Sequence, residues 1–342
     1  MYTNFLLFFV ILSIFLVYFC KKNNLIVDYK IEKHKRFSSK LKTNSIGGIL
    51  LIIFLFYEYI LVNQNGYLFL ALFSLFSIGF LSDTKKLNSV ILRFFLQTIL
   101  IIFFTTIIGL EISNTRIEYL DTLISNRVAN IIFVSFCLMV LVNGSNFIDG
   151  LNGLLLKYFL LIYLVILFNF NETFYVENDF LINLILILSI ILLLNLLSLI
   201  YMGDSGAYLL SIFSGIYLIN FSYNHQHISP FFIIVLLWYP CFELLFSMIR
   251  RLIKKSETYK PDTNHLHQLI YYFIKKNLNF RDPVIHFSIS FFINSFNLLV
   301  FIFATNFIYS SEILIFIILA NIFAYISLYV FLKKKMKSEV NK

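Results

Sequence analysis

Cysteine is scarce in this chain: Cys20, Cys137 and Cys241 are the only three in 342 residues. They stand far apart and form no CxxC pair, which excludes a disulfide framework and a cysteine-built metal centre. Lying in or beside apolar runs, they read as small apolar side chains. Charge is equally sparse, at 13% of residues. No stretch is polar enough for a soluble domain, and there is no low-complexity linker. Residues 1–19 lack a basic leader and a small-residue cleavage site, so they are expected to be a retained first span and not a signal peptide.

What the chain has in their place is hydrophobic surface. Sixty per cent of residues, 60%, are apolar or aromatic, in runs that recur at membrane-spanning length. In lipid, backbone polar groups must be satisfied within the segment, so the expected fold is all-α, a polytopic helical bundle forming one integral-membrane domain. Eleven spans are expected, with ten as the alternative count: residues 4–20, 46–62, 67–81, 91–110, 129–142, 154–170, 180–201, 207–221, 230–249, 286–306 and 312–332. Basic residues then give an orientation. Of the 27 Lys and Arg, 25 fall in alternate loops, and only Arg116 and Arg127 fall in the others. By the positive-inside rule the N-terminus lies outside and the C-terminus in the cytoplasm. The net charge of +9 is therefore a topology signal. Cations divided among separate membrane-flanking loops do not make a nucleic-acid surface.

The residues suited to chemistry fall in the basic loops, about 21–45, 82–90, 143–153, 202–206 and 250–285. The first ends in Ser45-Ile46-Gly47-Gly48, a glycine pair fit for close helix packing. The second carries Ser82-Asp83, with Arg93 one turn into the next span as an anchor or a phosphate contact. The third, Asn143 to Gly153, is expected to be a turn that brings backbone and the Asp149 carboxylate to a polar ligand. The fourth reads as a tight turn, Tyr201-Met202-Gly203-Asp204-Ser205-Gly206. Glu243, deep in a span, is suspect because a buried carboxylate in lipid is costly. Arg250-Arg251 follow, then Asp262, His265 and His267, then a short surface helix marked by Leu266, Leu269, Ile270, Phe273 and Ile274. The HxH pair at 265/267 lacks a third nitrogen or sulfur ligand for zinc, and the pair at 225/227 falls on the outer side and reads as loop residues. Carboxylates and glycine turns without cysteine point instead to a hard cation such as Mg²⁺, which bridges to phosphate oxygens. Nearby basic residues and histidines suit a diphosphate. At a membrane face, this is the equipment for phosphoryl transfer between a soluble nucleotide compound and a lipid phosphate in the bilayer.

Taken together, the motifs resemble the polyprenyl-phosphate sugar-1-phosphate transferases, in that family's order and spacing over most of the chain. The matching stretches are Ser45 to Gly48, Ser82-Asp83, Asn143 to Gly153, Met202 to Gly206, Arg250-Arg251 and Pro261 to His267. The resemblance implies a multi-pass protein of the inner (cytoplasmic) membrane whose site faces the cytoplasm. It implies transfer of a sugar 1-phosphate from a UDP-sugar to undecaprenyl phosphate with release of UMP, and a homodimer as a possible assembly. It casts Asp83, Asp149 and Asp204 as catalytic, with Asp204 and Asp149 toward Mg²⁺. It places Asn152 near the uridine and His265 and His267 on the diphosphate with Arg250 and Arg251 near it, and it counts Asn143, Asn146 and Asp262 among the substrate-binding residues.

Two positions depart from the family pattern: Ser82 stands where Asp is usual, and Asn152 where Asp is frequent. Losing the first carboxylate removes a candidate base, but a phosphate is largely ionised at neutral pH, so positioning and charge neutralisation can carry the rate. The His265-Leu266-His267 match is nearer the N-acetylhexosamine branch than the phospho-MurNAc-pentapeptide branch, which favours UDP-GlcNAc or a related sugar and initiation of a surface glycan such as O-antigen or capsule. The other readings are the muropeptide transferase, a catalytically impaired scaffold and, from charges inside a helical bundle, a transporter.

Overall fold

The computed structural model describes residues 2–26, 43–62, 65–170, 175–253, 264–278 and 280–338, and among these it contains no strand. Thirteen helices follow one another. The first half holds α1 (Tyr2–Lys22), α2 (Gly47–Phe56, continued by a π-helical turn, Tyr57–Val62), α3 (Gly66–Asp83), α4 (Val90–Ile108), α5 (Glu118–Ile124) and α6 (Arg127–Ile148). The second holds α7 (Leu154–Phe170), α8 (Tyr175–Leu196), α9 (Gly203–Asn224), α10 (Pro230–Ile253), α11 (Leu266–Asn277), α12 (Asp282–Thr305) and α13 (Ser311–Ser338). Nine are long and apolar enough to cross a membrane, and two shorter apolar helices, Gly47–Val62 and Leu154–Phe170, fill the remaining expected spans. All eleven apolar runs are thus helices of an all-α bundle. The surface helix expected near residue 266 is α11, whose first half is buried and whose last turn carries Lys275 and Lys276.

The order of burial follows polarity. α9 is the least hydropathic of the nine, yet 78% of its apolar window is buried, against 17% for α1. Ser205, Gly206, Ser211, Ser214 and Gly215 let α2, α3 and α6 pack around it as a central post. Each serine returns its hydroxyl to a partner: Ser211 and Ser214 donate to carbonyls of Ala207 and Leu210, both at 2.6 Å.

Two expected loops are shorter than the sequence suggests. The helix α6 runs on to Ile148, so Asn143 to Asn146 are helical, and the turn is confined to residues 149–153. The small residues there serve packing: Gly144 lies against the carbonyl of Pro240, leaving no room for a Cβ. Pro240 deprives the Leu236 carbonyl of its helical donor, and the Tyr158 hydroxyl replaces it at 2.8 Å. The stretch 201–206 is likewise mostly helix, since α9 begins at Gly203.

Candidate active site

Five segments remote in sequence meet at one end of the bundle. Asn44 and Ile200 form a parallel bridge, with the Tyr201 amide on the Asn44 carbonyl and the Gly47 amide on the Tyr201 carbonyl, each at 3.0 Å. The end of α3 meets the start of α9, and the turn after α6 meets the loop before it. Gly215 of α9 packs on Leu138 and Leu141 of α6, which runs antiparallel to it. Asp204 precedes Gly215 by about as many residues as Asp149 follows those leucines, so at ~1.5 Å per residue the start of α9 and the end of α6 lie at a similar depth.

The Asp83 carboxylate is wholly engaged by the N-terminus of α9. Its Oδ1 accepts the Asp204 amide at 2.8 Å, and its Oδ2 accepts the Ser205 amide at 3.0 Å and the Ser205 hydroxyl at 2.6 Å. An anion at a helix N-terminus satisfies free amides and meets the positive end of the dipole. Gly203 makes this approach feasible: its φ is +70°, and a Cβ there would sit 2.6 Å from Asp83 Oδ2.

Asp204, in the first turn of α9, turns its own carboxylate the other way. Ser82 Oγ donates to its Oδ2 at 2.6 Å, and Arg93 pairs with the same oxygen and also reaches Ser82 Oγ. Ser82 therefore supplies a hydrogen bond where a second aspartate would supply charge. The Asp204 side chain keeps 25% exposure, and its Oδ1 accepts no hydrogen bond among the described residues. A partly exposed carboxylate with one oxygen left over suits Mg²⁺, which takes few protein ligands and completes its shell with water and phosphate. No group of three His, Cys, Asp or Glu stands ready as a closed cage among the described residues.

The second cluster joins α10, α11 and the end of α6. The His265 Nδ1 lies 2.9 Å from Glu243 Oε1, and the Tyr325 hydroxyl donates to Glu243 Oε2 at 2.7 Å. The suspect carboxylate thus orients a histidine. The His267 ring lies parallel to that of His265, at 5.8 Å. It is fully buried, and neither ring nitrogen has a hydrogen-bond partner. Burial, and then the neighbouring His265, push its pKa down to about 3, so it is a neutral imidazole. It packs on Gly150, where a Cβ would come within 2.6 Å of its Nε2. Two ring nitrogens without partners beside the Asp149 turn suit a polar ligand.

Other residues assigned to substrate have structural partners. Arg250 donates to the Asn264 carbonyl at 2.8 Å and to Ser247 Oγ at 3.2 Å, holding the start of α11 against α10. The Arg251 guanidinium lies 5.7 Å from the Phe147 ring centre. Asn152 donates to Ser198 Oγ at 2.9 Å, and Asn195 accepts the Gly153 amide at 2.6 Å, so the two turns brace each other. Asn143 returns its amide to the Met139 carbonyl at 3.0 Å, and Asn146 follows it three residues on along α6, with Asp149 at the helix's C-cap. Asp262 lies outside the described residues. Sequence reasoning passed over Ser205, whose only signal was its place beside Asp204, and left the direction of Arg93 open.

Comparison with known proteins places these motifs. Residues 65–222, from α3 through most of α9, match the model for glycosyl transferase family 4. That segment contains Ser82, Asp83, the 143–153 stretch and Asp204. The chain is also similar to the undecaprenyl-phosphate alpha-N-acetylglucosaminyl 1-phosphate transferase of Thermotoga maritima. The two are 25% identical over 253 residues, 74% of this chain and 75% of that protein. In its motifs, in the helical bundle that gathers them and in these matches, the chain is similar to glycosyl transferase family 4 over residues 65–222.

Proposed function

We propose that this protein transfers N-acetylhexosamine 1-phosphate, such as GlcNAc 1-phosphate, from a UDP-sugar to undecaprenyl phosphate at the cytoplasmic face of the inner membrane. An oxygen of the lipid phosphate forms a bond to the β-phosphorus. The bond from that phosphorus to the bridging oxygen breaks, and UMP leaves with the electron pair. Bound Mg²⁺ supplies neutralisation of the diphosphate charge. Asp204, with Asp149 at a similar depth, would hold it.

The observation that carries this reading is the gathering of Ser82-Asp83, the 149–153 turn and Asp204 at one end of an apolar bundle. There a lipid phosphate and a water-soluble nucleotide can meet. Asp83 secures the α9 N-terminus, which keeps Asp204 in place. His267, neutral and without partners, is suited to hydrogen-bond a phosphate or sugar oxygen, and Glu243 fixes its neighbour His265. The cytoplasmic side rests on the 25-to-2 division of basic residues. At the opposite end, the Arg116 guanidinium ties three segments together, through the carbonyls of His227 and Tyr309, both at 2.7 Å, and Ser311 Oγ at 3.1 Å. That bracing favours a site open on one side over a transport path.

The test is purified protein in nanodiscs with Mg²⁺, undecaprenyl phosphate and a panel of UDP-sugars, read by UMP release and lipid-product mass. Release with UDP-N-acetylhexosamines is expected. No release with any UDP-sugar would overturn the reading.

A further inference from the structure

Arg93 is the only basic residue of α4, a helix whose other faces are largely apolar. An arginine one turn from a span end can extend outward to the headgroups. This one turns inward: its side chain is 17% exposed and meets Asp204 Oδ2 and Ser82 Oγ. Both contacts use a single nitrogen, Nη1, while Nε is buried with no hydrogen-bond partner. A guanidinium is built to grip an oxyanion with two parallel N–H groups. Here half of that fork is uncommitted, beside the carboxylate best placed for a cation.

We propose that Arg93 is an exchangeable counter-ion of Asp204, which makes cation binding conditional on the nucleotide diphosphate. With no diphosphate present, the guanidinium neutralises Asp204, and a divalent cation arriving alone must displace a fixed positive charge. A diphosphate offers Arg93 the bidentate oxyanion it lacks, and frees Asp204 for the cation that accompanies the diphosphate. Ser82 makes the exchange one-to-one. Its hydroxyl touches both partners but adds no charge, whereas an aspartate would leave one carboxylate for the cation even with Arg93 in place. The inference rests on the proposed diphosphate substrate and names Arg93 as the residue that positions Asp204 and gates its charge.

The test is Mn²⁺ binding, read by electron paramagnetic resonance on the full-length protein in nanodiscs, with and without UDP-GlcNAc. Wild type is expected to bind Mn²⁺ weakly alone and at least about tenfold more tightly with the nucleotide, a shift of about 1.4 kcal/mol. Arg93→Gln is expected to bind Mn²⁺ alone about tenfold more tightly than wild type and to lose most of the nucleotide effect. Ser82→Asp, which keeps Arg93, is expected to move the same way, and it keeps the test open if Arg93→Gln does not fold. Arg93→Gln with Asp204→Asn is expected to return to weak binding. Equal Mn²⁺ affinity without nucleotide in wild type and in whichever of Arg93→Gln and Ser82→Asp folds would overturn the proposal, even for an active enzyme. A wild type that turns over no UDP-sugar would instead sink the transfer reading and leave the Mn²⁺ comparison to be read by itself.

Discussion

Asp83 binds the backbone of Asp204, not its side chain: the Asp83 Oδ1 accepts the Asp204 amide at 2.8 Å, while the two carboxylates face different partners. Adjacent acidic residues would repel if both faced one cavity. Here the helix N-terminus takes one charge, and Arg93 takes the other. The two aspartates therefore have separable roles, and mutation can tell them apart.

Asp204→Asn is expected to abolish transfer, reducing UMP release by at least ~10²-fold, in line with loss of a group that acts on charge in the transition state. The amide is nearly isosteric and still accepts from Ser82, so the variant is expected to insert and fold. Turnover near wild type at ordinary Mg²⁺ would rule out a metal-holding role for Asp204.

For Asp83 the expected damage is to stability and activity together. Asp83→Asn turns an amide toward N–H or O–H donors that a carboxylate would accept, and leaves part of the α9 N-terminus unsatisfied. Loss of such a cap costs about 0.5–2 kcal/mol. Thermal unfolding should fall, with UMP release falling alongside. Ser82→Asp, by contrast, should not be needed for activity: wild type is expected to turn over as it stands. An inert wild type rescued by Ser82→Asp would show that the missing carboxylate is an essential base.

His267 predicts a pH dependence of stability. In the unfolded chain its imidazole takes a proton near its ordinary pKa of 6.5, but in the folded protein only near about 3. The unfolded state thus binds more protons between those values, and this contribution to stability is lost as pH falls below the unfolded pKa. Unfolding temperatures measured from pH 7.5 to 5 should drop less steeply for His267→Gln than for wild type. Parallel curves would mean that His267 titrates normally in the fold.

Orientation can be checked directly. Single cysteines placed at 255–263, in a background lacking Cys20, Cys137 and Cys241, should react with a membrane-impermeant maleimide only after the cells are opened. A cysteine beside Arg116 should react in intact cells stripped of their outer layer. Labelling in the reverse pattern would overturn both the topology and the side assigned to the site.

The sequence by itself determined the class of fold, because a run such as residues 180–196 can satisfy its backbone in lipid only as a helix, whatever its neighbours do. It also singled out the acidic and histidine residues of the candidate site, since charged groups in so apolar a chain stand out where they fall. It misjudged where helices stop: Gly144 and the asparagines of 143–148 look like turn residues in isolation, but the approach of Pro240 across the α6–α10 contact makes a small residue at 144 a packing requirement. Tertiary structure alone decided the direction of each functional group. That Asp83 seats a helix terminus 121 residues away, that Glu243 serves His265, and that Arg93 turns in to Asp204 and not out to lipid all depend on neighbours from other helices. Hydropathy and spacing report on a segment's own surroundings; they carry no information on which remote carboxylate a buried donor will find.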